Sequence, residues 1–126
     1  MKMEKQRKLL VIDDNEQFVS VLKNFLSQKY DVITAYTGLD GLRVFEAHED
    51  NIDLVITDLV MPEITGIGVI SLIKKKYPGT PVIAITGKGK HPGAVAMDCE
   101  ADMLLNKPFD LMDLDRYVTK LLAERT

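Results

Sequence analysis

Residues 9–15 read Leu-Leu-Val-Ile-Asp-Asp-Asn, four apolar residues followed at once by two carboxylates. The run from Leu9 to Ile12 is strand-like, and it ends in Asp13 and Asp14. Directly after it the period of the pattern changes. Phe18, Val21, Leu22, Phe25 and Leu26 recur at helical spacing, and Asn15 stands where an N-cap belongs.

This strand-then-helix pairing repeats along the chain. Asp31 to Tyr36 reads as a strand, with a helix opened by Thr37 and marked by Leu39, Leu42 and Phe45. Ile52 to Thr57 is a third strand that delivers Asp58 at its end. Thr65 caps a third helix bearing Ile67, Ile70 and Ile73, and Pro78-Gly79 ends it. Pro81 to Ile85 is a fourth strand ending in Thr86, and a loop with Gly87, Gly89 and Pro92 leads to a short, weak helix from Gly93 to about Cys99. Met103 to Asn106 is the fifth strand, followed by Lys107-Pro108. Asp110 caps a last helix with Leu111, Leu114, Val118, Leu121 and Leu122 on its inner face. Alternation of this kind predicts an α/β fold, a doubly wound five-stranded parallel sheet of order 2-1-3-4-5 with five helices. No internal repeat or interior linker interrupts it, so residues 1–126 read as one domain with its core over about 8–123.

Composition narrows the function classes. The chain is 46% apolar and 28% charged with a formal net charge of −3, which offers no basic footprint for direct nucleic-acid binding. Cys99 is the single cysteine, so no internal disulfide forms and a redox role is not expected. Met1 to Lys8 is polar and basic without a signal-peptide core, and no stretch approaches a membrane span. A cytoplasmic protein without membrane contact is expected.

The placement of charge is more telling. In an open α/β sheet, ligands bind beyond the carboxyl ends of the strands where strand order reverses. That edge receives Asp13 and Asp14 from strand one, Asp58 from strand three, Thr86 from strand four and Lys107 from strand five. Converging carboxylates repel one another unless a cation neutralises them, and oxygen donors suit Mg²⁺ or Mn²⁺. Zinc does not fit, since no pair of His or Cys has ligand spacing. With Lys107 as counter-charge and Thr86 as hydroxyl donor, the set suits a phosphoryl group.

Each residue alone has a plainer reading. An Asp at a strand end is usually a turn or cap residue, and a lone Lys is usually solvated surface. It is their joint occurrence at four strand ends that favours a site. His48 and His91 read as surface residues, Lys74-Lys75-Lys76 as a solvated helix end, and the glycines after Thr86 match no phosphate-loop fingerprint.

Taken in order, Leu9-to-Asn15, Asp58-Leu-Val-Met-Pro-Glu-Ile-Thr-Gly66, Thr86-Gly87 and Lys107-Pro108-Phe109 resemble the receiver domain of bacterial two-component response regulators, from Leu9 to about Leu122. The resemblance implies a flavodoxin-like, CheY-like fold. It implies Asp58 as acceptor of a phosphoryl group from a histidine kinase or phosphotransfer protein, with Mg²⁺ held by Asp13, Asp14, Asp58 and the backbone carbonyl of Val60. Lys107 then pairs with the phosphoryl oxygens and Thr86 reports their presence. The role is that of a signalling switch that catalyses only its own phosphorylation and dephosphorylation. The face made by helix four, strand five and helix five is the expected contact for an output domain or target protein, with Leu104, Met97 and Met103 as an adaptable apolar patch on it; the plainer reading is that the methionines are core. The Lys107-Pro108 peptide is expected to be cis.

Two positions and one segment depart from that pattern. Leu104 stands where an inward-swinging aromatic is common, Asn106 where an apolar residue is usual, and the segment between Thr86 and Lys107, with Lys88, Lys90 and His91-Pro92-Gly93, is atypical. The resemblance further implies that the residues two after the acceptor and two after the Thr, here Val60 and Lys88, flank the path of hydrolytic water; Val60 gives water no hydrogen bond, so slow loss of the phosphoryl group is expected. Two rival readings exist. A phosphatase of the haloacid dehalogenase type needs an acid two positions after the nucleophile, where this chain has Val60. A pseudo-receiver loses acidic or Lys positions that are all present here.

Overall fold

The computed structural model describes residues 6–48, 51–59, 66–87 and 100–124. Five strands form one sheet, β1 (Lys8–Ile12), β2 (Asp31–Ala35), β3 (Leu54–Asp58), β4 (Val82–Thr86) and β5 (Met103–Asn106). They are all parallel and stand in the order β2-β1-β3-β4-β5. Four helices lie among the described residues, α1 (Glu16–Leu26), α2 (Gly38–Ala47), α3 (Gly66–Lys76) and α4 (Leu111–Glu124). The short helix expected over Gly93 to Cys99 and the cap expected at Thr65 lie outside the described residues; α4 is the fifth helix of the sequence reading.

The strands read as continuous apolar runs because the sheet is covered on both faces. On one face Leu9, Val11, Leu54, Ile56, Ile83 and Ile85 pack with Val19 and Leu22 of α1 and Leu114 and Val118 of α4. On the other, Leu10, Ile12, Val55 and Val82 pack with Phe45 of α2 and Val69, Ile70 and Ile73 of α3. The alternation of neighbours along one strand between two clusters is the period-two geometry of a strand.

Local capping follows the sequence. Asn15 Oδ1 accepts from the Phe18 N–H at 3.0 Å, and Thr37 Oγ1 from the Asp40 N–H at 3.0 Å. Asp110 Oδ1 accepts from the Met112 N–H at 2.8 Å at the start of α4. His48 is the C-cap of α2.

Two expected inward residues face out. Val21 is 52% exposed and Leu39 45% exposed, while Val19 is buried in α1. On α2 the cause is a glycine face. Gly38, Gly41 and Phe45 are the buried residues, and a Cβ on Gly41 would stand 2.4 Å from Ile12 Cδ1. The helix therefore approaches β1 through Gly41, which rotates Leu39 outward. Lys74 also departs from a solvated helix end. Its Nζ lies 2.6 Å from Asp102 Oδ2 and donates to the Thr80 carbonyl at 2.8 Å.

Candidate functional site

Strand order reverses between β1 and β3, and the carboxyl ends of these two strands carry the acidic residues. Asp13 follows β1 and is tied to β2 by its N–H, which donates to the Ala35 carbonyl at 3.1 Å. Asp58 is the last residue of β3. Asp13 and Asp58 are buried and Asp14 is exposed, and one carboxylate oxygen from each lies within 4.8 Å of the others. Thr86 ends β4 and is buried. Lys107, one residue past β5, reaches across to place Nζ 3.1 Å from Asp13 Oδ2. The residues read from four strand ends therefore share one edge of the sheet.

The turn after β1 is held by its own side chains. Asp13 Oδ1 accepts from the Asn15 N–H at 2.9 Å, and Asn15 in turn caps α1. Burial pushes the Asp13 carboxyl above its ordinary range, against the lowering effects of the Asn15 N–H and of Lys107, with Asp14 adding to the rise. Such a carboxylate gains from an added positive charge.

Beneath Asp58 the start of α3 comes close. The Gly66 N–H donates to the Leu59 carbonyl at 3.1 Å. A Cβ on Gly66 would lie 1.8 Å from the Asp58 carbonyl oxygen, so only glycine fits there. On the other side, Lys107 Nζ sits 4.1 Å from the Phe18 ring centroid, and Phe18 meets Phe109 edge-on at 5.9 Å. Helical spacing alone puts Phe18 on an apolar stripe of α1; its place in the first turn after Asn15 is the signal that sets it beside the strand ends. The Lys107-Pro108 peptide is cis. Val60 and Lys88 lie outside the described residues, as do Met97 and His91.

An apolar groove of about 370 Å³ between α2 and α3, lined by Leu42, Phe45, Leu72 and Tyr77, takes no part in this site. It sits toward the C-terminal ends of those helices, at the opposite edge of the sheet.

A doubly wound sheet in this order, with acidic residues at its switch point and a lysine beside them, defines a flavodoxin-like α/β domain of the CheY kind. A sequence profile of the response regulator receiver domain matches residues 9–119, and the chain belongs to that family, the receiver domains of two-component response regulators. It is 39% identical over 104 residues to the transcriptional regulatory protein GlrR of Escherichia coli, covering 81% of this chain and 23% of GlrR. The chain thus spans about a quarter of that relative's length. The crystal structure of a response regulator receiver domain protein from Clostridium thermocellum superimposes with a TM-score of 0.87 at 35% identity, covering 94% of this chain and 96% of that one. CheX–CheY from Borrelia burgdorferi, solved with BeF3 and Mg²⁺, matches with a TM-score of 0.79 at 28% identity over 91% of this chain and 88% of that one. Receiver domains are signalling switches rather than metabolic enzymes. No helix among the described residues is long and apolar enough to cross a membrane.

Proposed function

We propose that this receiver domain takes a phosphoryl group onto Asp58 from the phosphohistidine of a histidine kinase or phosphotransfer protein. The observation that carries the reading is the approach of Asp13, Asp14 and Asp58 within 4.8 Å of one another, with the Lys107 ammonium 3.1 Å from Asp13. Three carboxylates, two of them buried, form an oxygen donor set that fits Mg²⁺, with Mn²⁺ as the alternative. Asp13, Asp14 and Asp58 would hold the ion, together with the carbonyl of Val60. When bound, Mg²⁺ supplies charge neutralisation to an anionic phosphoryl group.

An Asp58 oxygen forms the new bond to phosphorus as the donor's phosphorus–nitrogen bond breaks, and the electron pair leaves on the imidazole nitrogen. Lys107 meets the phosphoryl oxygens, and Asp13 keeps it at the strand edge. Thr86, buried at the end of β4, turns its hydroxyl to the same oxygens and couples them to the following loop. The Mg²⁺ and BeF3 carried by the Borrelia CheY structure support the same chemistry here. The output domain or target protein reads the switched state on the side of β5 and α4, consistent with the regulatory role named for GlrR.

Intact mass spectrometry tests this. Acetyl phosphate with Mg²⁺ should add one phosphoryl group to the wild type and none to Asp58→Asn. Equal incorporation in the variant would place the acceptor elsewhere.

A further inference from the structure

The ammonium of Lys107 is held from two sides by groups of different kinds. Asp13 Oδ2 accepts one N–H at 3.1 Å. On another side stands the face of Phe18, its centroid 4.1 Å from Nζ. The other two lysine–ring contacts among the described residues, Lys29 with Tyr30 and Lys76 with Tyr77, join chain neighbours at 5.9 and 5.8 Å. The Phe18 contact instead joins the first turn of α1 to the residue after β5, and the Lys107 side chain is only 25% exposed. A partly desolvated ammonium over a ring face is the favourable case for cation–π attraction.

The ring is itself fixed. Asp13 Oδ1 holds the Asn15 N–H, Asn15 Oδ1 holds the Phe18 N–H, and the Phe18 ring meets the edge of Phe109 at an interplanar angle of 86°. Asp13, Asn15, Phe18 and Lys107 thus form a closed circuit of contacts that returns to Asp13. A ring face attracts the cation through its quadrupole without a lone pair or a formal charge. It therefore restrains Lys107 without competing for the negative charge of an incoming group, as a second carboxylate would.

We propose that Phe18 is a positioning residue for phosphoryl transfer. Its ring holds the Lys107 ammonium at the strand edge, leaving an N–H for a phosphoryl oxygen. The proposal rests on the reading of Asp58 and Lys107 given above. It differs from a packing role because it depends on the electrostatics of the ring rather than on its shape.

The test replaces Phe18 in the full chain by 4-fluoro-, 3,5-difluoro- and 3,4,5-trifluorophenylalanine, which keep the ring's shape while draining its face of negative potential. The rate of Asp58 phosphorylation by acetyl phosphate should fall in that order, by about two- to thirty-fold at the trifluoro ring. Side-chain ¹³C relaxation of Lys107 should show rising mobility along the series, a readout that needs no phosphoryl group. In a Lys107→Met background the series should be flat. Rates and mobility unchanged across the rings overturn the proposal, as does an equal decline in the Lys107→Met background, which would assign the effect to packing. If Asp58→Asn still abolishes incorporation, those results sink the ring's role alone. If it does not, the site reading fails and the proposal with it.

Discussion

The Thr86 hydroxyl points to Asn106 on the neighbouring strand, with Oγ1 3.4 Å from Asn106 Oδ1 and 3.3 Å from the Gly87 carbonyl. Both contacts are longer than a strong O–H···O bond, so the hydroxyl is weakly held by β5 and by its own loop. Asn106 is exposed, so water competes for the same groups. Under the proposed function, a phosphoryl oxygen on Asp58 would draw the Thr86 hydroxyl from these two acceptors. Asn106→Leu, which restores the apolar residue usual at this position of the resemblance, removes one of them. We expect the variant to shift the phosphorylated protein toward its switched state by about two-fold, the worth of a weak solvent-shared hydrogen bond. The Thr86 amide shift in unphosphorylated, partly and fully phosphorylated samples reports that population; an unchanged population would show that Asn106 does not compete.

Gly66 gives a sharper outcome. The atoms a Cβ would meet are backbone, the Asp58 carbonyl oxygen at 1.8 Å and the Asp58 carbonyl carbon and Leu59 Cα at 2.7 Å, and none can rotate away. Gly66→Ala must push the start of α3 from the end of β3. A loss of about 1–3 kcal/mol or more in urea unfolding is expected, together with slower Asp58 phosphorylation under conditions where the variant stays folded. Gly79→Ala is the control, because a Cβ there meets nothing within 4 Å. Its stability should change by no more than about 0.5 kcal/mol.

Close approach such as that at Gly66 marks the limit of what the sequence makes legible. The alternation of apolar runs and helical spacing carried the sheet order, since a strand covered on both faces leaves a continuous apolar run and few closures accommodate five such strands. The gathering of Asp13, Asp58, Thr86 and Lys107 at one end of the sheet was legible for the same reason: each stands at or just past the end of a strand. Close approach was not legible. Leu39 seemed to face inward by spacing, yet the contact of Gly41 with Ile12 sets the rotation of α2. Lys74 looked like one of three equivalent lysines, and only the fold brings Asp102 to it. Phe18 could be placed on an apolar stripe, but its partner lies beyond β5 in the chain, and spacing within one helix carries no information about that.

The raised Asp13 carboxyl predicts a pH dependence that Mg²⁺ should reverse. Its folded-state value lies above the unfolded one because burial outweighs the Asn15 N–H and Lys107. The metal-free fold therefore prefers the protonated group. That contribution is fully present below the ordinary Asp range, near pH 4, and is lost as pH rises through the raised value. At neutral pH the Asp13 charge counts against the metal-free fold. Asp13→Asn should raise the metal-free melting temperature at pH 7 and narrow its difference from pH 5. Mg²⁺ should raise the wild-type midpoint more at pH 7 than at pH 5, and the variant's much less. Melting curves with Mg²⁺ or EDTA check this; a lower midpoint for the metal-free variant at pH 7 would mean that the pairing with Lys107 outweighs burial.

The last prediction concerns the clamp that joins the end of α3 to the entries of β4 and β5. Asp102 Oδ2 accepts the Val82 N–H at 2.7 Å and lies 2.6 Å from Lys74 Nζ, which also donates to the Thr80 carbonyl at 2.8 Å. One carboxylate oxygen thus serves a backbone donor at the entry to β4 and a lysine whose side chain is only 12% exposed. Removing it leaves the Val82 donor and much of a buried charge without their partner, and the cost of an unmet group exceeds the net worth of the bond. Asp102→Ala should lower stability by about 1–3 kcal/mol in urea unfolding. Asp102→Asn keeps an acceptor for Val82 and should lose less. Lys74→Met removes the cation and its desolvation cost together, so its loss should be smaller than that of Asp102→Ala. In the double variant Lys74→Met/Asp102→Ala the effects should be less than additive, because the first change removes the charge that the second would strand. Strict additivity would show that the two residues stabilise β4 independently.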